Sequence, residues 1–192
     1  MPTRLGTHRL LFASVAIGWL LVDQLTKSWA VRSLGDGDVV DVVWTLRFNL
    51  AYNSGASFSM GRGAGRWIAL VAIVIVCLLV WQARKASTRL TAVALGMIVG
   101  GALGNVVDRA FRAGGEGFLG GSVVDFIDFQ WWPVFNIADI GVVVGAILLV
   151  VASFLPVPGD DDTPEGAEPD APAVTDADAD AGTDAGTDGS GS

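Results

Sequence analysis

The chain has 192 residues, 52% of them hydrophobic, and a mean hydropathy of +0.53, which is more apolar than an ordinary soluble domain of this size. Its net charge of −8 is local: Pro156 to Ser192 hold eleven Asp and Glu and no Lys or Arg, so the first 155 residues carry nine acids against all twelve basic residues. With one histidine (His8), one cysteine (Cys77) and no basic stripe, the composition excludes zinc sites, Ser-His-Asp or Cys-His chemistry, internal disulfides and nucleic-acid binding, and no metal or other cofactor is expected.

The first apolar segment runs from about Leu10 to Val31, near the length of about 20 residues that a bilayer requires. A cleaved signal peptide is the rival reading, but the apolar run passes into Val22-Asp23-Gln24 without a small-residue cleavage site. Asp23 and Lys27, four apart near the end of this helix, share a face and read equally well as a structural ion pair or as part of a site. Trp44 to Tyr52 alternates, with Trp44, Leu46, Phe48, Leu50 and Tyr52 on one side, the period of a half-buried strand. Asn53-Ser54-Gly55 then supplies a turn, and Gly61 to Gly65 a flexible approach to the next helix.

The second helix is expected over 67–83 and the third over 90–107. Gly96, Gly100 and Gly104, four apart, strip one face of the third helix for close packing. Asn105, Asp108 and Arg109 end it, and Asp108 with Arg109 reads as an interfacial pair or a helix-end cap. Val123 to Trp132 is β-prone. It places Asp125 on a loop that looks mobile and makes Asp128 a solvated loop acid. Phe126, Phe129, Trp131 and Trp132, with Trp29 and Trp67, suit an aromatic belt at the lipid headgroups. The fourth helix is expected over 134–154, with Asn136 and Asp139 in its first turns. Asn136 could serve only to bond one helix to another. The tail 156–192, rich in Asp, Ala, Gly, Thr and Pro, is expected to be disordered.

Arg4, Arg9, Arg84, Lys85 and Arg89 lie at one end of this arrangement, which the bias of basic residues assigns to the cytoplasm together with both termini. The loops 32–66 and 108–133 then lie outside, although they too carry arginines. Ionisable groups inside membrane helices are costly and usually functional, and here three helices deliver theirs to one outer level. Two carboxylates held together in a poorly hydrated place cannot both ionise easily, so one keeps a proton while the other takes one from water. Asp125 and Asp139 are the pair chosen for peptide hydrolysis. A Ser-Lys dyad of Lys27 with Ser54 or Ser57, a small transporter and a non-catalytic assembly protein are the alternatives weighed.

Five blocks in order carry a resemblance to a known family: Asp23-Gln24-Leu25-Thr26-Lys27, Asn53-Ser54-Gly55-Ala56-Ser57-Phe58, Gly104-Asn105-Val106-Val107-Asp108-Arg109, Val123 to Phe129, and Pro133-Val134-Phe135-Asn136-Ile137-Ala138-Asp139. Together with four helices over roughly residues 10 to 155, they resemble the lipoprotein signal peptidases, or signal peptidase II. The resemblance implies an all-α membrane protein, with four transmembrane helices and a small extracytoplasmic β-sheet formed around Trp44 to Tyr52. It implies an aspartic endopeptidase of the bacterial inner membrane that cuts diacylglyceryl-modified prolipoproteins just before the lipidated cysteine. On this reading Asp125 and Asp139 are the catalytic pair. Asn53, Gly55, Asn105 and Arg109 position substrate, while Asp23, Lys27, Asp108 and Asn136 support the site. The partners are prolipoproteins and membrane lipids, and the enzyme is expected to act as a monomer. The Gly-rich stretch between Asp108 and Asp125 is longer than in compact members, and the acidic tail lies outside the family core.

Overall fold

The computed structural model describes residues 4–55, 64–114 and 117–156. The turn residues Ala56 to Phe58, most of the glycine-rich approach to the second helix, the Ser57 of the Ser-Lys alternative and the acidic tail lie outside the described residues. Four helices and three strands follow in the order α1 (Arg4–Leu34), β1 (Val39–Val43), β2 (Leu46–Asn53), α2 (Ala64–Ala83), α3 (Arg89–Phe111), β3 (Val123–Asp128) and α4 (Ile137–Ser153). Three helical segments, Gly6–Leu34, Gly65–Ala83 and Arg89–Phe111, are long and apolar enough to cross a membrane. The fourth helix has 17 residues, the short end of the spanning range of about 17–25.

Glycine governs how the helices meet. An added Cβ at Gly96 would meet Phe12 O and Val15 of α1, one at Gly100 would meet Ala16 O, and one at Gly104 would strike the Asp23 carboxylate. The four-residue spacing of the three glycines is thus the seam between α1 and α3, where side-chain removal lets the helix axes approach. Gly101 of α3 lies against Ala138, and Gly145 of α4 lies against Ala94 O and Ile98, giving α3 and α4 a second close seam. Apolar side chains including Leu10, Leu21, Val74, Leu78, Val143 and Ile147 stay exposed on the outer surfaces of the helices, as bundles facing lipid require.

The strands form one antiparallel sheet in the order β1-β2-β3. It caps the end of the bundle where α1 finishes and α4 begins: Ala30 and Leu34 of α1 are buried with Val124, Phe126 and Ile127. Trp29 meets Phe48 and Phe126 edge-on at ring-centroid distances of 5.3 and 6.1 Å, a favoured aromatic geometry. Phe126 is therefore a core residue and not part of a headgroup belt, whereas Trp67, Trp131 and Trp132 are exposed.

Strand β1 has no counterpart in the sequence reading, since valines stand on both its faces around Asp41 and no alternation marks it. The alternation seen from Trp44 begins as strand only at Leu46, because Trp44 is the positive-φ residue (φ 53°) of the β1–β2 turn. Beyond β3, Phe135 pairs with Ile127 through an isolated bridge, so the segment before α4 is extended. With Pro133 and this bridge occupying the stretch, the helix starts three residues later than expected, at Ile137. At the other end α1 starts earlier than expected, at Arg4.

Candidate active site

The polar residues of α1 and α3 meet first. Lys27 is fully buried, and its ammonium lies 2.9 Å from Asp23 and 3.0 Å from Asp108, both also fully buried. Its third hydrogen bond goes to Asn105 Oδ1 at 2.8 Å, so each ammonium proton has an acceptor. Asp108 takes further bonds from Arg112 Nε at 2.7 Å and from the backbone N–H of Val124 at 3.1 Å. The expected partner of Asp108, Arg109, is not the one it uses: one turn of helix places Arg112, four residues on, against the carboxylate instead. Asp23 reaches across to accept the N–H of Ala138 in the first turn of α4 at 2.9 Å. A buried lysine and an arginine balanced by two carboxylates form a sustainable arrangement, because each charge is paired and hydrogen-bonded.

A second layer rests on this one. Asn136 is the N-cap of α4, and with Asp139 it forms a reciprocal capping box. Asp139 N–H donates to Asn136 Oδ1 at 3.0 Å, and Asn136 N–H donates to Asp139 Oδ2 at 3.2 Å. The Asn136 amide then donates to Asp125 Oδ1 at 2.6 Å, and Asn105 Nδ2 donates to Asp139 Oδ1 at 2.9 Å. Asn53 Nδ2 completes the group with a bond to Asp125 Oδ2 at 3.1 Å, while its Oδ1 accepts the Gly55 N–H at 2.9 Å. Sheet register makes this contact: Ala51 faces Asp125 and Asn53 faces Val123, so Asn53 and Asp125 are diagonal neighbours on one face.

All ten residues singled out in the sequence thus lie in one polar network or along its cavity. Asp125 is not on a mobile loop. It is the third residue of a strand buried along its whole length, and is itself 3% exposed. Burial first, and then the charge of Asp139, push its carboxyl up to about 6, against the hydrogen bonds from Asn53 and Asn136. Asp128 is a second correction. It is buried beside Arg47, whose Nε lies 2.8 Å away, and also takes Asn49 Nδ2 and the Gln130 N–H. Burial would raise its carboxyl, but these bonds and the Arg47 charge prevail and lower it. Its role is to hold β2 to β3 and to fix the turn at Gln130, a positive-φ residue (φ 69°).

A cavity of about 460 Å³ opens onto the pair. Asn53, Gly55, Asn105, Arg109, Asp125 and Asp139 line its polar end, and its walls are Ile68, Ala69, Ala72 and Ile75 of α2, Ile98, Ala102 and Val106 of α3, and Val142 and Val143 of α4. Arg109 is 7% exposed and its Nη1 has no hydrogen-bond partner among the described residues, so a buried guanidinium N–H is left for a ligand to satisfy. Among the described residues no group of three His, Cys, Asp or Glu side chains could hold a metal ion.

Sequence reasoning missed Gln24. Its Nε2 reaches Asp23 Oδ2, Asp108 Oδ1 and the carbonyl of Gly104, tying α1 to α3, and only its place in the Asp23–Lys27 block hinted at this. Arg112 was missed for want of attention to the four-residue spacing from Asp108. The alternatives lose ground here. Lys27 is committed to three acceptors and is not a free amine base for Ser54, and the ionisable groups gather at one end of the bundle instead of along its middle, where transport sites lie.

Residues 15–155 match the model of the family described as signal peptidase (SPase) II. The chain is 49% identical over 144 residues to a lipoprotein signal peptidase of Mycobacterium avium, a stretch covering 74% of this chain and 78% of that protein. It is 42% identical over 171 residues to a lipoprotein signal peptidase of Mycolicibacterium smegmatis, covering 84% and 72%. In fold it is similar to a bacterial membrane enzyme solved by the in meso method at 1.9 Å resolution, with a TM-score of 0.63 at 30% identity over 78% of this chain and 93% of that one. A family match over most of the chain, beside relatives close to half identical, places it: the chain belongs to the signal peptidase II family.

Proposed function

We propose that the protein removes signal peptides from diacylglyceryl-modified prolipoproteins, cutting before the lipidated cysteine, and that it does so as an aspartic endopeptidase with Asp125 and Asp139 as the catalytic pair. The observation that carries this reading is the shared network: Asn136 bonds both aspartates while they line the polar end of one apolar cavity. Asn53 and Asn105 each hold one of the two carboxylates in place.

In this mechanism one carboxylate takes a proton from water, whose oxygen attacks the scissile carbonyl carbon. The other, protonated, gives its proton to the carbonyl oxygen. Collapse of the tetrahedral diol breaks the C–N bond as the nitrogen picks up a proton, leaving a carboxylic acid on the signal peptide and a free amino group on the cysteine. Arg109, with its unpartnered buried Nη1, is suited to hold a substrate carbonyl at that height, and Gly55, its N–H held by Asn53, lines the cavity beside it. Asp23, Lys27, Asp108 and Asn136 keep the site in shape. The apolar walls contributed by α2, α3 and α4 suit acyl chains and an apolar signal helix, each buried methylene of lipid contributing about 0.8 kcal/mol.

The site end of the bundle is read as facing the outer leaflet of the bacterial inner membrane, with both termini cytoplasmic beside Arg84, Lys85 and Arg89, and the protein as working alone. A gel-shift assay of purified protein in detergent with a diacylglyceryl-modified prolipoprotein tests the activity. Cleavage by wild type, absent with unlipidated substrate and absent in Asp125→Asn and Asp139→Asn, is the expected result. Cleavage by both variants would sink the aspartic reading.

A further inference from the structure

The two carboxylates are not equivalent in their surroundings. Asp139 is the third residue of α4 and accepts the backbone N–H of Asn136 at a helix N-terminus, where unsatisfied N–H groups favour negative charge. Its side-chain donor, Asn105, is backed by a cation: a lysine can only donate, so Lys27 Nζ fixes Asn105 with its oxygen toward the ammonium and its NH₂ toward Asp139. Asp139 is also only partly buried and lines the cavity.

Asp125 has none of these supports. It lies within a strand, where the backbone has little net dipole, and is 3% exposed. Both its side-chain donors, Asn53 and Asn136, are neutral amides. The charged groups around the pair are Asp23 and Lys27 from α1 and Asp108 and Arg109 from α3, while the α2 wall is apolar. Arg109 feels Asp125 more strongly than Asp139, and the Lys27 charge also reaches Asp125; these two influences work against the asymmetry, and burial of Asp125 beside Asp139 outweighs them.

We infer that the pair divides the chemistry in a fixed way: Asp139 is the carboxylate that takes the proton from water, and Asp125 is the carboxylic acid that protonates the scissile carbonyl oxygen. Asn105 is then a positioning residue through which the Lys27 charge supports the base. The inference rests on the assignment of Asp125 and Asp139 as the catalytic pair.

The test is the pH profile of kcat/KM for the full chain in detergent with a diacylglyceryl-modified prolipoprotein. The base sets the acid limb and the acid sets the alkaline limb. Asn53→Ala removes a donor that favours the ionised form of Asp125, so the alkaline limb moves up by about one pH unit with the acid limb unmoved. Asn105→Ala moves the acid limb up by a similar amount and leaves the alkaline limb in place. Exchange of the two responses, or no response to either change, overturns the division of roles. Should Asn105→Ala misfold, because Lys27 loses an acceptor, the Asn53→Ala profile decides alone by which limb moves. Failure of the underlying assignment is visible separately, as cleavage surviving in Asp125→Asn and Asp139→Asn.

Discussion

Asn136 and Asp139 hold each other through two reciprocal hydrogen bonds at the start of α4, and the amide that caps the helix also donates to Asp125 at 2.6 Å. A structural device and a chemical one therefore share one side chain. Asn136→Ala should cost about 0.5–2 kcal/mol through the lost cap and should also depress kcat. Asn136→Ser restores a capping oxygen but supplies no amide to Asp125, so thermal stability should recover while kcat stays low. Joint recovery of both would show that the amide has no role beyond the cap.

Replacing either Asp125 or Asp139 should abolish turnover and spare the fold. General acid or base assistance contributes about 10²–10⁴ in rate, so Asp125→Asn and Asp139→Asn should each lose at least that much. Circular dichroism and gel filtration in detergent should show both variants folded. An inactive variant that also elutes as aggregate would speak only to packing, and the comparison would then pass to Asp125→Glu.

Asp125 and Asp128, three residues apart, should respond oppositely to pH. The Asp125 carboxyl is raised in the fold to about 6 from 3.8. The folded state then binds more protons than the unfolded one between these values, and stability falls as pH rises through that window. The loss amounts to roughly 3 kcal/mol by pH 7. Asp125→Asn should therefore melt higher than wild type at pH 7, with the advantage gone at pH 4. Asp128 is lowered by Arg47, Gln130 and Asn49, so its contribution is present above the ordinary aspartate value and is lost as pH falls. Asp128→Asn should melt lower than wild type at pH 7, the gap closing on acidification.

Lys27 should matter first as structure. Removing one partner from a buried charge cluster typically costs about 3–5 kcal/mol because the remaining charges stay behind unpaired. Lys27→Ala would leave Asp23 and Asp108 facing each other at a seam where Asp23 leaves no room for a Cβ at Gly104. A drop in melting temperature with part of the activity kept at low temperature is expected. Complete inactivation at unchanged melting temperature would move Lys27 from support into the chemistry.

Most of the site was legible because the bilayer makes polar residues conspicuous. Asp23, Lys27, Asn105, Asp108, Asn136 and Asp139 stand out in apolar surroundings, and helical spacing put each at the same end. The partnerships were harder to read. Asp108 had Arg109 beside it in sequence, but the helix turns Arg112 toward it. Asp128 looked solvated because a loop was expected where β3 and Arg47 enclose it. Strand β1 escaped notice since Val39, Val40, Val42 and Val43 give no alternation. The late start of α4 followed from Pro133 and from the bridge of Ile127 with Phe135, a pairing that hydrophobic periodicity does not reveal.

Val124 is gripped from both sides, its N–H by Asp108 of α3 and its carbonyl by the Asn136 amide, one residue before Asp125. The position of the carboxylate is thereby tied directly to α3 and α4. The chain that leads up to it is fastened as well, since the Gly121 N–H donates to Arg109 O at 2.9 Å and Leu119 is buried. The chemical centre is therefore anchored redundantly, so that loosening one of these contacts leaves the others to hold Asp125 in place.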